Sequence, residues 1–301
     1  MGDLTPAEQR IAGVTLAYLA RCMSAGEALY AEILTRPSVG SAAATLLQDK
    51  DLLEPLYVAA MFLHASRDHY LTIQSMFIQG QVPPGAPVPV LRNYSPYTVV
   101  RAALEGDAWA CWLLDPQATT AERVARGLTV RAMSIRDGRR LGLKLDNGKA
   151  IDHAARFAQI AEVAGRHNLE IRRTNDEYGD ILWVGAARPD VSRLLSELLP
   201  EKGIETNNEP LGWHTYSVLS GRAHGSPWAA LFKARRGPRL GPYAGLAEIV
   251  IDVVELMRLL SISLRVHSEA IRRSAELDAR DPQEWERLRG RTAEDRLSAA
   301  G

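Results

Sequence analysis

The chain has 301 residues, of which 46% are hydrophobic and 24% are charged, a balance typical of a globular protein with a sizeable core. Its 36 basic and 36 acidic residues cancel, which excludes a wholly basic nucleic-acid-binding surface but leaves room for a local basic patch. Cys22 and Cys111 are far apart in sequence, so a disulfide scaffold or a thiolate zinc site is not expected. The polar N-terminus and the charges that interrupt the longest apolar stretch predict a cytoplasmic location without membrane association.

Helical periodicity dominates the first half of the chain. It predicts long helices over 6–36 and 52–79, joined to the next helix by an extended, proline-rich connection at 82–92. The third helix begins at Ser95-Pro96, where serine can cap the helix and proline fits its first turn, and it ends at Asp115-Pro116. Thr119 and Glu122 form a capping-box pattern that opens a fourth helix, to about residue 145.

The pattern changes in the second half. Residues 150–167 predict a helix, 169–185 a small β-hairpin, and 191–199 a short helix. A polar loop at 201–210 precedes a helix with the sequence YSVLSGRAHGSPW, and a final long helix is predicted from about 243 to 277. The predicted fold is mainly α, an antiparallel bundle of long helices with a small α+β-hairpin insertion. A single domain would span 1–281, with 150–205 as the inserted subdomain and 282–301 as a charged tail.

Three of these helices carry polar residues where the pattern favours apolar ones. In the second helix, His64 and Asp68 are four residues apart on the stripe that also contains Tyr57 and Met61, so the imidazole and the carboxylate can hydrogen-bond. The third helix has Tyr97, Arg101 and Glu105 at helical spacing, and the YSVLSGRAHGSPW helix has Tyr216, Ser220 and His224.

Two interpretations of these stripes remain open. Buried ion pairs can lock the register of the helices, because an unpaired charge in a core costs several kcal/mol. Alternatively, the stripes converge on one polar pocket between helices. In that case His64 with Asp68 is a candidate general base, His224 is a second acid or base, and Arg101 is a candidate for holding an anion or phosphate. Glu105, which can pair with Arg101, is a further catalytic candidate. Candidate ligand-binding residues of the same pocket are Tyr97, Tyr216, Ser220, Arg123 and Arg126.

Other chemistries have little support. The histidines do not have the spacing of a helical zinc site, so no metal is predicted. No glycine-rich nucleotide motif is present, so no cofactor is predicted either. Cys111 lies between Trp109 and Trp112 and is expected to be a small buried hydrophobe. A run of basic residues follows the His224 helix and contains Lys233, Arg235, Arg236 and Arg239. This run is either a solvated loop or a site that binds RNA phosphates.

Four segments carry a resemblance to a family: SPYTVVRAALEGDAWACWLLDP, ERVARGL, RPDVSRLLSELLP and YSVLSGRAHGSPW. Over about 95–230 the chain resembles a group of uncharacterised actinobacterial helical proteins, which implies no particular activity. Its layout distantly resembles the HEPN superfamily of helical bundles, many of which are RNA-cleaving toxins or defence effectors. The active motif of that superfamily is an arginine followed after four to six residues by a histidine. This chain departs from it, because the nearest pairing in the relevant helix is Arg222-Ala-His224.

The sequence therefore favours a regulatory or defence-related helical-bundle protein, expected to form a homodimer, that binds a small molecule or a partner in a polar inter-helical pocket. One alternative is an HEPN-like, metal-independent ribonuclease that uses His224, with Arg101 and the basic run holding RNA. Another is an enzyme acting on a small metabolite with the His64–Asp68 pair as base. The sequence does not decide whether the protein is an enzyme.

Overall fold

A computed structural model describes residues 5–48, 53–78, 95–142, 151–185, 187, 189–224, 226 and 252–281. The described part is mainly α-helical with a small antiparallel β-hairpin, which confirms the predicted fold class. None of its helices is both long enough and apolar enough to cross a membrane. The elements are α1 (Pro6–Thr35), α2 (Ala42–Gln48), α3 (Leu53–Ile78), α4 (Ser95–Leu113), α5 (Thr120–Arg140), α6 (His153–Arg166), β1 (Ile171–Arg173), β2 (Ile181–Val184), α7 (Val191–Leu198), a short 3-10 turn (Ile204–Thr206), α8 (Leu211–Ala223) and α9 (Val253–Leu277).

Helix starts follow the local capping signals. At the start of α5, the Thr119 hydroxyl accepts a hydrogen bond from the Glu122 backbone N–H at 3.3 Å, and the Glu122 carboxylate accepts one from the Thr119 N–H at 2.7 Å. The predicted capping box is therefore present. The helix ends at Arg140, about five residues earlier than predicted, and Gly142 follows with a φ of 61° that favours glycine.

Helix α2 was not predicted. It is a seven-residue, alanine-rich segment, too short for a periodic pattern to stand out. The Ser41 hydroxyl accepts a hydrogen bond from the Ala44 N–H at 3.0 Å, and it donates one to the Asp278 carboxylate at 3.0 Å. The Ser38 N–H also binds Asp278, at 2.7 Å. These bonds fasten the α1–α2 connection to the end of α9.

The core lies between four long helices. Helix α3 packs along α4, and α9 packs against both α1 and α4. The α3–α4 contact is close because Gly106 faces Ser66, whose hydroxyl donates to the Ala103 carbonyl oxygen at 2.9 Å. Buried leucine, isoleucine and alanine side chains from all four helices fill the space between them.

The hairpin and its neighbouring helices pack on one side of this bundle. Strand β2 lies against α5, where the Thr129 hydroxyl donates to the Val184 carbonyl oxygen at 3.1 Å and accepts from the Val184 N–H at 2.9 Å. Helix α6 also contacts α5, and α7 contacts α4 and α8. The division into one domain, an inserted subdomain and a tail stays a prediction. The proposed connection at 82–92, the first part of the last predicted helix at 243–251 and the tail at 282–301 lie outside the described residues.

Candidate functional site

The polar stripe predicted on α3 faces solvent, so its assignment to the buried side was wrong. Tyr57 is 57% exposed and Met61 is 70% exposed, and His64 and Asp68 are exposed as well. In the described part of the chain no hydrogen bond joins His64 to Asp68, whose carboxylate lies 3.8 Å from an Arg67 nitrogen. The buried stripe is offset by one residue, or about 100° around the helix, and comprises Leu56, Ala59, Ala60, Leu63, Ser66, Tyr70 and Ile73.

The predicted residues of α4 and α8 do meet. The Arg101 guanidinium lies 2.8 Å from the Glu105 carboxylate, 3.2 Å from the Tyr216 hydroxyl and 2.7 Å from His224 Nε2. We refer to these four side chains as the Arg101 cluster. Because a guanidinium only donates, His224 Nε2 must accept in this contact. Burial raises the pKa of Tyr216, which keeps its hydroxyl protonated. The cluster is partly open to solvent.

Tyr97 belongs to a neighbouring, buried arrangement. Its hydroxyl lies 3.4 Å from the Asp252 carbonyl oxygen and 3.5 Å from the Glu255 carboxylate, and its ring lies beneath the Arg222 guanidinium at 5.5 Å. Arg222 forms a buried ion pair with Glu255 at 2.8 Å, which joins α8 to α9. Ser220 is half-buried near the end of α8, where its carbonyl oxygen accepts the His224 N–H at 3.0 Å.

The two candidate arginines of α5 bind the α4–α5 turn. Arg123 donates to the Pro116 carbonyl oxygen at 3.0 Å, and burial lowers the pKa of its guanidinium. Arg126 donates to the Trp112 carbonyl oxygen at 2.5 Å and to the Asp115 carboxylate at 3.1 Å. Trp112 lies about 16 Å along α4 from Arg101, so these arginines are not part of the Arg101 cluster. Lys233, Arg235, Arg236 and Arg239 lie outside the described residues.

A histidine–aspartate pair is present, but at residues that the sequence interpretation missed. His267 Nδ1 of α9 lies 2.9 Å from one oxygen of Asp107 in α4, and the Tyr70 hydroxyl of α3 donates to the other oxygen at 2.7 Å. All three side chains are buried. Burial, and next the Asp107 charge, raise the pKa of Tyr70 well above its usual value, so this hydroxyl stays protonated and donates. We call these residues the buried triad.

One residue of the triad, His267, borders a cavity of about 220 Å³. The cavity lies between α1 and α3, with α9 behind them, and His267 is part of its wall. At its mouth the Arg67 guanidinium on α3 bridges to the Glu27 carboxylate on α1 at 2.7 Å, and both side chains are partly exposed. The lining residues are mainly apolar: Met23, Gly26, Glu27, Tyr30, Ala31, Leu34, Thr35, Leu63, His64, Arg67, His267 and Ile271.

Most polar groups of the lining already have partners. The Tyr30 hydroxyl donates to the Leu56 carbonyl oxygen at 3.1 Å, and the Thr35 hydroxyl donates to the Ala31 carbonyl oxygen at 2.8 Å. His267 uses Nδ1 for Asp107, whereas its Nε2 makes no hydrogen bond within the described ranges. The buried Arg67 Nε of the lining likewise makes no hydrogen bond there, so the mainly apolar cavity offers a ligand both His267 Nε2 and Arg67 Nε.

A signal for the triad does exist in the sequence. Asp107 follows Val100, Ala103 and Leu104 at helical spacing, which places a carboxylate on the most apolar face of α4. His267 lies in the same way between Leu260, Leu264 and Ile271 on α9. A search for ionisable residues on strictly apolar stripes would have found both, although not that they touch.

The described residues hold no group of three or more histidine, cysteine, aspartate or glutamate side chains that could bind a metal ion. Comparisons with known protein families, with curated proteins and with solved structures found no match for this chain. A functional assignment therefore depends on the Arg101 cluster, the buried triad and the cavity.

Proposed function

We propose that this protein binds a small, largely apolar molecule in the cavity between α1, α3 and α9. The observation that carries the proposal is that an apolar cavity has His267 in its wall, with the imidazole held by Asp107. Small-molecule sites have this composition, in which apolar side chains supply affinity and a few placed polar groups supply orientation. A regulatory role follows naturally, because a ligand there contacts three helices and can stabilise one arrangement of them.

Ligand binding should stabilise the fold in proportion to occupancy. A ligand at 100 times its dissociation constant adds about 2.7 kcal/mol to the free energy of unfolding, if it binds only the folded state. A screen of small apolar compounds by thermal unfolding therefore tests the proposal directly, since a binder must raise the Tm as its concentration rises.

A matched pair of variants locates the site. Ala31 is exposed and lines the cavity, so Ala31→Phe covers the opening without adding bulk to the core. Ala28 is exposed on the same helix but does not line the cavity, which makes Ala28→Phe the control. We expect Ala31→Phe to abolish the ligand-induced rise in Tm and Ala28→Phe to keep it. An equal response of both variants, or no response of the wild-type protein to any compound, would refute binding at this cavity.

A second candidate function, RNA cleavage without a metal, is favoured by the 2.7 Å contact between Arg101 and His224. This contact brings together a cation on α4 and an imidazole at the C-terminal end of α8, a combination that can hold a phosphate and move a proton. If this function is correct, His224→Ala should abolish cleavage of single-stranded RNA with the Tm unchanged, and His69→Ala on α3 should not. If the His224→Ala protein cleaves RNA at the wild-type rate, this second function is excluded.

A further inference from the structure

The chemistry of the cavity also constrains the ligand, provided that the proposed binding function holds. We propose that the ligand is a small aromatic molecule with a single O–H or N–H group, which donates a hydrogen bond to His267 Nε2. Size, the buried triad and the charges at the cavity mouth each support this class.

The volume sets the size of the ligand. A cavity of about 150 Å³ with an apolar lining binds benzene. The cavity here has about 220 Å³ and, apart from the groups at its mouth, is lined by side chains such as Met23, Leu34, Leu63 and Ile271. One aromatic ring with one substituent, or a small fused pair of rings, fits that space.

The buried triad determines whether His267 Nε2 donates or accepts a hydrogen bond. Asp107 accepts a hydrogen bond from the Tyr70 hydroxyl on one oxygen and lies against His267 Nδ1 with the other. Because a carboxylate only accepts, Nδ1 must carry the hydrogen. In the neutral imidazole Nε2 is then the acceptor, and a ligand that donates one hydrogen bond complements it.

The two carboxylates near the cavity disfavour an anion, whereas the buried Arg67 Nε of the lining, which has no hydrogen-bond partner among the described residues, is a donor that favours an acceptor atom on the ligand. Asp107 lies directly behind the imidazole, and Glu27 stands at the mouth, where it already pairs with Arg67. An anionic ligand would face the Nε2 lone pair and would bring a second negative charge close to Asp107. His64 at the mouth is exposed, so solvent screens any attraction that it exerts.

The test compares phenol, toluene and benzoate on the intact chain by titration calorimetry. Phenol and toluene have similar shape, but only phenol donates a hydrogen bond, and benzoate carries the charge. We expect phenol to bind best and benzoate worst. In the His267→Asn variant, the side-chain amide can replace Nδ1 as the donor to Asp107, but it does not replace Nε2. The ratio of the affinities for phenol and toluene should therefore fall about fivefold in this variant, because one hydrogen bond usually contributes about that factor.

The outcomes separate the two proposals. If toluene or benzoate binds as tightly as phenol, the proposed ligand class is wrong. The proposal that the cavity binds a small molecule then still stands, provided that Ala31→Phe abolishes the binding. Failure of all three compounds to bind at millimolar concentration overturns both. If His267→Asn does not fold, the ranking of the three compounds on the wild-type protein still decides the ligand class.

Discussion

At the scale of single residues, Asp107 and Asp68 differ strongly in burial. Asp107 is fully buried, and its removal leaves the Tyr70 hydroxyl and His267 Nδ1 without their acceptor, whereas the Asp68 side chain is 78% exposed. We expect Asp107→Ala to lower the free energy of unfolding by about 3–5 kcal/mol. Asp68→Ala should change it by less than about 0.5 kcal/mol. Urea unfolding measures both, and similar losses in the two variants would contradict the buried triad.

Cys111 provides a second test of burial. Its side chain is buried, its sulfur lies 3.5 Å from the Val266 carbonyl oxygen, and burial raises the pKa of the thiol well above its usual value. Because only the thiolate reacts readily, a raised pKa slows alkylation at pH 8. We therefore expect iodoacetamide to modify Cys111 in urea but not in the native protein, as followed by peptide mass spectrometry. Rapid native labelling would show that α4 and α9 do not cover this residue.

At the scale of elements, the contact between α7 and α8 depends on a glycine. A Cβ atom at Gly212 would overlap the backbone carbonyl of Leu195, which cannot move without shifting α7. We expect Gly212→Ala to cost about 1–3 kcal/mol or more, as overpacking does. Gly13, in the N-terminal third of α1, has open space around it, so Gly13→Ala should instead stabilise the protein by about 0.5–1 kcal/mol. Thermal unfolding of the two variants should therefore move in opposite directions.

Helices and strands were predictable from the sequence where the residues that determine them lie close together in the chain. The capping threonine at 119, the proline in the first turn of α4 and the alternation around the hairpin all act within a few residues. The buried face of α3 was not predictable in the same way, because apolar residues such as Tyr57 and Met61 also occupy its solvent side. Which face a helix buries is decided by its neighbours, and here α4 selects the side that carries Ser66 and Tyr70.

The candidate site was predictable only in part for the same reason. Arg101 and Glu105 share one helix, and Tyr216 lies on another helix that His224 caps at its C-terminal end, so each pair could be inferred from spacing. Their meeting, and the contact of Asp107 with His267 across 160 residues, are products of tertiary packing. A single sequence shows that a buried polar group needs a partner but does not say which residue supplies it.

At the scale of the whole molecule, α9 holds the bundle together. Buried residues make up 15 of its 25 positions, it packs on α1 and α4, and it contributes His267 and Ile271 to the cavity wall. At its end, Asp278 is fully buried and binds Ser38, Ser41 and Arg280. The described contacts of α9 therefore connect both ends of the bundle.

This arrangement predicts how two truncated chains behave. A chain that ends at residue 281 keeps α9 and loses only the predicted charged tail, so we expect cooperative thermal unfolding and a native near-UV circular dichroism spectrum. A chain that ends at residue 251 leaves the apolar faces of α1 and α4 uncovered, and should bind the dye ANS and lose its near-UV signal, as collapsed states without fixed packing do. If the shorter chain instead unfolds cooperatively, the fold does not require α9, and the prediction of one domain over 1–281 is wrong.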